Sequence, residues 1–292
     1  MSGWSVSDIP DQHGRTFIVT GANSGLGAVA ARALGGAGAR VVLACRDVRK
    51  GQAVADEIGA QAEVRRLDLA DLSSVREFAA SIDRVDVLIN NAGVMGVPYG
   101  RTADGFERQI GTNHLGHFAL TGLLLGRIAD RVVTVSSDLH TIGVIDLDDL
   151  NWQHRRYRRW QAYGQAKLAN LMFAYELQRR LTAAGWSTLS LAAHPGYAST
   201  ELQSHTESIQ DAVMSLGNRL FAQSAEMGAL PELYAATADV EPGAYYGPTG
   251  WRGMRGHPGR AGSSKRSKDA ETARGLWELS ERLTGVTYDF SV

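Results

Sequence analysis

The feature that constrains this chain most is the regular alternation of short β-branched apolar runs with longer stretches of helical spacing. Residues 15–20 (RTFIVT) are too few for a buried helix and run into glycines, so they read as a buried strand. Residues 26–37 are Ala-rich and close on Gly35, Gly36 and Gly38, which reads as a helix and its stop. The pattern repeats with strands predicted over 40–45, 64–67, 85–90, 131–135 and 187–193. Helices are predicted over 48–58, from Asp71 onward, over 104–125 and over 160–183. Strands joined by helical crossovers run parallel, and a parallel sheet needs cover on both faces. The expected fold is therefore a doubly wound α/β sheet with helices on both faces, in one domain, because no low-complexity linker divides the chain.

Composition removes several function classes. A single cysteine excludes an internal disulfide. A net charge of -1 offers no global pull toward nucleic acid or an acidic membrane. No apolar run approaches the roughly 20 residues of a membrane span, and the first residues lack the basic start and apolar stretch of a signal peptide. A cytoplasmic protein with no membrane span is expected. One segment stands apart: Gly247, Gly250, Gly253, Gly256, Gly259 and Gly262 recur at every third position. With so few prolines a triple helix is excluded, and the segment reads as a surface loop. A last helix is predicted over 270–283.

Between the first strand and first helix lies Thr20-Gly21-Ala22-Asn23-Ser24-Gly25-Leu26-Gly27. Glycine lets a ligand approach the backbone, and a helix N-terminus offers unpaired N–H groups and partial positive charge. Such a loop suits a pyrophosphate, although a plain strand-to-helix turn also collects glycines. The second strand ends Cys45-Arg46-Asp47. An acidic strand tip would bind the ribose hydroxyls of NAD, whereas the Arg46 guanidinium suits the 2′-phosphate of NADP. The alternative is a solvated arginine paired with Asp47. Cys45 reads as a small core residue. Asp68, ending the third strand, either contacts an adenine or caps the next helix.

Tyr163 and Lys167 stand at i and i+4 on the long helix, which puts an ammonium beside a phenol. The pair suits proton exchange with a carbonyl or alcohol; isolated, it also suits a solvated helix face. Ser136 and Ser137 end the fifth strand, where a hydroxyl either orients a substrate oxygen or caps a turn. Asn113 sits in the helix over 104–125. His114 and His117, at i and i+3, lack further metal-type ligands and read as packed or surface histidines.

In this order the residues resemble the short-chain dehydrogenase/reductase family over about 14–200: Gly21, Gly25 and Gly27, Asp68, Asn90-Asn91-Ala92-Gly93, Asn113, Ser137, Tyr163 with Lys167, and Pro195-Gly196. ACRD, NHLGHF, DDLNW, YGQAKLAN, HPG, YYGP and LWELSERLTGV resemble the retinol dehydrogenase-like and WW-domain oxidoreductase-like branch along nearly the whole chain. The resemblance implies a Rossmann-type seven-stranded parallel sheet. It implies a cofactor-binding and catalytic core over 14–200, a substrate-side segment over 201–230 and a C-terminal extension over 243–292. It implies Tyr163 as acid/base, Lys167 on the nicotinamide ribose and lowering the Tyr163 pKa, Ser137 orienting the substrate oxygen, and Asn113 holding a relay water. The implied cofactor contacts are Gly21, Asn23, Ser24, Gly25, Leu26, Gly27, Arg46, Asp68, Leu69, Asn90, Ala92, Gly93, Tyr163, Lys167, Pro195, Gly196 and Thr200.

The expected activity is hydride transfer between NADP(H), with NAD(H) as the alternative, and a carbonyl or alcohol of an apolar small molecule. A non-catalytic NADP(H) sensor or scaffold is the rival. The family's habit of pairing the helices that carry Asn113 and Tyr163 leaves a homodimer open. Between Ser137 and Tyr163 lies a long insert with Arg155, Arg156, Arg158 and Arg159. As a nucleic-acid patch it lacks a binding motif and a basic net charge. Trp152, Trp160 and Trp251 are either pocket-lining or buried in the core.

Overall fold

The computed structural model describes residues 3–197, 223–250 and 253–291. Its centre is β1 (Thr16–Thr20), in which Phe17 and Val19 point to one face and Ile18 to the other, all fully buried. That period of two, with apolar residues on both sides, is what a central parallel strand requires. The chain then follows α1 (Gly25–Gly36), β2 (Arg40–Cys45), α2 (Val48–Ile58), β3 (Ala62–Arg66), α3 (Leu72–Ala80) and β4 (Val85–Asn90). A one-turn helix α4 (Arg108–Ile110), a π-helical turn (Gly111–Leu115) and α5 (Gly116–Leu124) lead into β5 (Ile128–Val135). Then come α6 (Arg159–Ala183), β6 (Leu189–Ala193), α7 (Ala225–Thr237), β7 (Tyr245–Pro248), β8 (Pro258–Arg260) and α8 (Ala270–Thr284).

The sheet order is β3-β2-β1-β4-β5-β6-β7-β8. Helices α1, α2 and α7 pack on one face, and α3, α5, α6 and α8 on the other. Strands β1 to β7 pair in parallel, as the alternation predicts, and the sheet reverses between β1 and β4, where a ligand crevice opens in such folds.

Three expectations are corrected. The sheet has eight strands rather than seven, because β8 adds antiparallel to β7 through Tyr246–Arg260, Gly247–Gly259 and Pro248–Pro258 pairings. The glycine-rich segment is thus a hairpin for part of its length, not only a loop. Its glycines answer to close packing: a Cβ on Gly247 would lie 1.8 Å from the His194 ring, and one on Gly259 would lie 2.4 Å from Thr249. The helix predicted over 104–125 starts only at Arg108, because Glu107 caps it by accepting from the N–H groups of Gln109 and Ile110.

The C-terminal residues belong to the same core. Trp277 and Tyr288 pack around Phe118 and Phe173, with Trp277 to Tyr288 at 4.4 Å and Phe118 to Trp277 at 5.1 Å between centroids. Tyr288 also donates to the Phe118 carbonyl at 2.6 Å. Among the described residues no helix is long and apolar enough to cross a membrane.

Candidate active site

The carboxyl ends of the central strands converge on one edge, and Thr20 ties two of them together. Its hydroxyl accepts from the N–H groups of Asn91 and Ala92 at 3.0 Å each, and its carbonyl accepts from the Asn91 side chain at 2.8 Å. The glycine loop is thereby clamped against the Asn90–Gly93 turn. Gly21 adopts φ +69°, and a Cβ on Gly27 would lie 2.5 Å from the Gly21 carbonyl, so both positions require glycine. Asn23, Ser24 and Gly25 are partly exposed at the start of α1, with Leu26 buried beneath them. Ser24 caps α1 with no side-chain bond, which leaves the first-turn N–H groups facing outward.

Arg46 is exposed at the β2 tip and, among the described residues, has no hydrogen bond or ion pair. The suggested pairing with Asp47 does not form, because Asp47 caps α2 by accepting from Arg49 and Lys50. Cys45 is buried, and burial pushes its thiol up to about 11, so it is inert at neutral pH. Asp68 does not cap α3; Asp71 does, and Asp68 accepts from Ala70 in a local turn. Leu69 is buried against Gly116. The Asn90 side chain faces the interior and donates to Thr121, so it supports the loop from beneath rather than lining an open face. Pro195 and Gly196 follow β6, with Gly196 at φ +65°. Thr200, most of 201–230 and Trp251 lie outside the described residues.

Lys167 and Tyr163 lie on the same face of α6, and both are buried. Lys167 Nζ donates to the Val135 carbonyl at 3.0 Å, and a Cβ on Gly93 would sit 3.8 Å from that nitrogen. An ammonium has three donors, so Lys167 presents further donors toward the Gly93 side. The Ser137 hydroxyl lies near enough to the Tyr163 phenol to lower its pKa against the larger effect of burial. Ser136 is spent on the Lys167 carbonyl at 2.8 Å, whereas the Ser137 hydroxyl accepts from the Leu139 N–H at 3.2 Å and keeps its own proton to give. Asn113 anchors the opposite wall: its side chain accepts from Val94 N–H at 2.7 Å and donates to Val94 carbonyl at 2.8 Å.

Burial dominates the electrostatics of this group. It pushes the Tyr163 phenol up to about 12 and pulls the Lys167 ammonium down. The expected lowering of Tyr163 by Lys167 is absent in the chain by itself, where the ammonium lies 5.8 Å from the ring centroid and turns to Val135.

Of the packed and surface alternatives for the two histidines, the structure shows packing. His117 is buried, its Nδ1 2.9 Å from the Asn113 carbonyl and its Nε2 2.9 Å from the Thr20 hydroxyl. A neutral ring donating to the carbonyl and accepting from Thr20 satisfies both, and burial holds its pKa down to about 4. It thus links the end of β1 to the π-helical turn that carries Asn113. His114 is likewise a core residue, bonded to Ser280. Trp160 stands edge-on to Tyr163 at 6.4 Å, whereas Trp152 is buried in the insert. A pair such as His117 and Thr20, 97 residues apart, has no local pattern to betray it.

The short chain dehydrogenase family model matches residues 15–211. This chain belongs to that family. It falls in the retinol dehydrogenase-like branch, with 43% identity to human retinol dehydrogenase 13 over 94% of this chain and 85% of the relative. A crystal structure of an uncharacterized protein from Mycobacterium paratuberculosis superposes with a TM-score of 0.87 at 54% identity, covering 99% of this chain and all (100%) of that one. An NAD(P)-dependent gluconate 5-dehydrogenase from Beutenbergia cavernae, solved with NADP at low occupancy, gives a TM-score of 0.59 at 27% identity over 78% of this chain and 92% of that one. As a short-chain dehydrogenase, the protein is an NAD(P)-dependent oxidoreductase acting on a small molecule. The loop fits such a cofactor, since Gly27 lets α1 begin close under the Gly21 carbonyl and the α1 N-terminus is free of a side-chain cap.

Proposed function

We propose that this short-chain dehydrogenase transfers a hydride between NADP(H) and the carbonyl or alcohol carbon of a small molecule, with Tyr163 as the proton donor and acceptor. The observation that carries this reading is the junction of Ser137, Tyr163 and Lys167 at the carboxyl edge, with Tyr163 and Lys167 buried on one face of α6 and the Ser137 hydroxyl near the phenol. When bound, the cofactor supplies or takes up the hydride. The chain handles the proton. With its pKa raised, Tyr163 is protonated at neutral pH, the form that gives a proton to a carbonyl oxygen. The Ser137 hydroxyl positions that oxygen beside the phenol. Lys167 would hold the ribose with the donors that Val135 leaves unused, which would turn its ammonium toward the phenol. In the alcohol-oxidising direction the same proton returns to the phenolate.

Gly21, Asn23, Ser24, Gly25, Leu26 and Gly27 would receive the pyrophosphate, and Asp68, Leu69, Ala92, Gly93 and the backbone of Asn90 would flank the adenosine and nicotinamide halves. Pro195, Gly196 and Thr200 would meet the nicotinamide amide. Arg46 favours NADP(H), because it is an unpaired guanidinium at the strand tip while the neighbouring carboxylate of Asp47 is spent on a helix cap.

Titration with NADPH and NADH tests the cofactor preference. We expect tighter NADPH binding and a loss of about 10-fold or more in Arg46→Ala, as for a charge-assisted bond; equal wild-type affinities contradict it. A panel of carbonyl compounds with NADPH oxidation as readout tests the activity. Tight NADPH binding without turnover of any member would support a sensor instead.

A further inference from the structure

A second group of titratable side chains abuts the reacting residues without belonging to them. Asp138 directly follows Ser137 and opens the short helical turn Asp138–Ile142. Its side chain is 49% exposed, yet burial of its surroundings pushes the carboxyl up to about 6. Asp138 is therefore ionised above neutrality and sits in a partly desolvated mouth rather than in open water. Behind it stand His194 and Tyr245, both buried. Nδ1 of His194 lies 3.3 Å from the Asp138 carboxylate, and the ring packs at 5.0 Å from that of Tyr245. Tyr245 in turn faces Asp138, Ser136, Tyr175 and Tyr163 electrostatically, and its buried hydroxyl closes no hydrogen bond of its own.

None of these neighbours cancels the charge. His194 is held neutral, its pKa pulled down to about 4 by burial and the nearby His140. His140 is likewise depressed by burial and engaged with the Ser137 carbonyl at 2.7 Å. Among the described residues Asp138 has no Lys or Arg within ion-pair range. His194 Nδ1 accepts from the Gly196 N–H at 3.3 Å and so, in a neutral ring, has no proton for Asp138; a half-exposed carboxylate with neither cation nor donor leaves its lone pairs for a donor.

We propose that Asp138 is a specificity-determining residue, whose carboxylate accepts a hydrogen bond from a hydroxyl or ammonium group that the substrate carries next to its reacting carbon. This rests on the carbonyl/alcohol reading of the Ser137–Tyr163 junction. It adds that the substrate is not apolar throughout, and that a wholly hydrocarbon neighbour of the carbonyl leaves Asp138 desolvated and unpaired, which costs binding.

The test uses three aryl ketones of nearly equal size: propiophenone, α-hydroxyacetophenone and α-aminoacetophenone. Each is assayed for NADPH-dependent turnover and for binding to the enzyme–NADPH complex by nicotinamide fluorescence. We expect kcat/KM for one or both donor-bearing ketones to exceed that for propiophenone by about 10-fold or more, the range of a hydrogen bond to a charged group. The ratio should collapse toward one in Asp138→Asn and in Asp138→Ser. A larger ratio for the ammonium compound assigns the donor to a cation, and a larger one for the hydroxyl compound to a neutral alcohol. Equal ratios in wild type, a ratio unchanged by both variants, or binding of none of the ketones overturns the proposal. Donor-selective binding that Asp138→Asn abolishes, without turnover, keeps it and rejects hydride transfer instead.

Discussion

At the residue scale, the site combines groups whose burial shifts them in opposite senses. Tyr163 is raised and Lys167 lowered by the same desolvation, because it penalises whichever form carries charge. Glu232 on α7 shows the cost of this setting most clearly. It is buried, neither of its carboxyl oxygens has a hydrogen-bond partner, and its carboxyl is raised by burial against a smaller pull from Lys167. A carboxyl whose folded pKa exceeds its unfolded value of 4.5 destabilises the fold progressively as pH rises above that value. Glu232→Gln should therefore match wild type in acid and melt higher by about 2 °C or more in mild alkali. Parallel melting curves at every pH contradict that reading. Residues such as Glu232 and His117 are invisible in sequence, since their behaviour depends on what the fold places around them.

At the element scale, the insert between Ser137 and α6 is a folded strap. Trp152 adopts φ +56° and is covered by the Arg155 guanidinium at 3.9 Å, while Arg155 also reaches Asp146 and Asp149. Tyr157 pins the strap to the head of α4: its one hydroxyl proton is shared between the Val97 carbonyl at 3.1 Å and the Glu107 carboxyl at 3.0 Å, and its oxygen accepts from Gln109. Tyr157→Phe should lower stability by about 1–3 kcal/mol, since buried partners lose their bonds; an unchanged urea midpoint would contradict this. The same scale shows where sequence patterns suffice. Strands β1, β2, β4 and β5 were legible because both faces are apolar, and α6 because its spacing is helical. Hairpin β7–β8 was not, because Gly247 and Gly259 leave room for His194 and Thr249 and so erase the side-chain alternation that marks a strand. The candidate site at the carboxyl edge was legible as glycines and a Tyr–Lys pair, whereas the Asp138, His194 and Tyr245 group joins three distant segments.

At the scale of the whole molecule, one sheet holds the cofactor edge, the strap and the C-terminal aromatic cluster together. Cys45 lies inside it, buried at the end of β2 with a raised pKa. Alkylation of Cys45 should therefore follow global unfolding, with a midpoint in denaturant equal to that of circular dichroism. Modification of the native protein at the rate of a free thiol would contradict that burial. The central claim, that Tyr163 moves the proton in a hydride transfer, is tested most directly by Tyr163→Phe. This change removes one oxygen and keeps the ring that packs against Trp160. Turnover and NADPH affinity are measured together on a carbonyl that wild type reduces. The account predicts a fall in kcat of about 100-fold or more, the scale of general acid–base catalysis, with NADPH binding within a few-fold of wild type. Retention of wild-type kcat in Tyr163→Phe would contradict it.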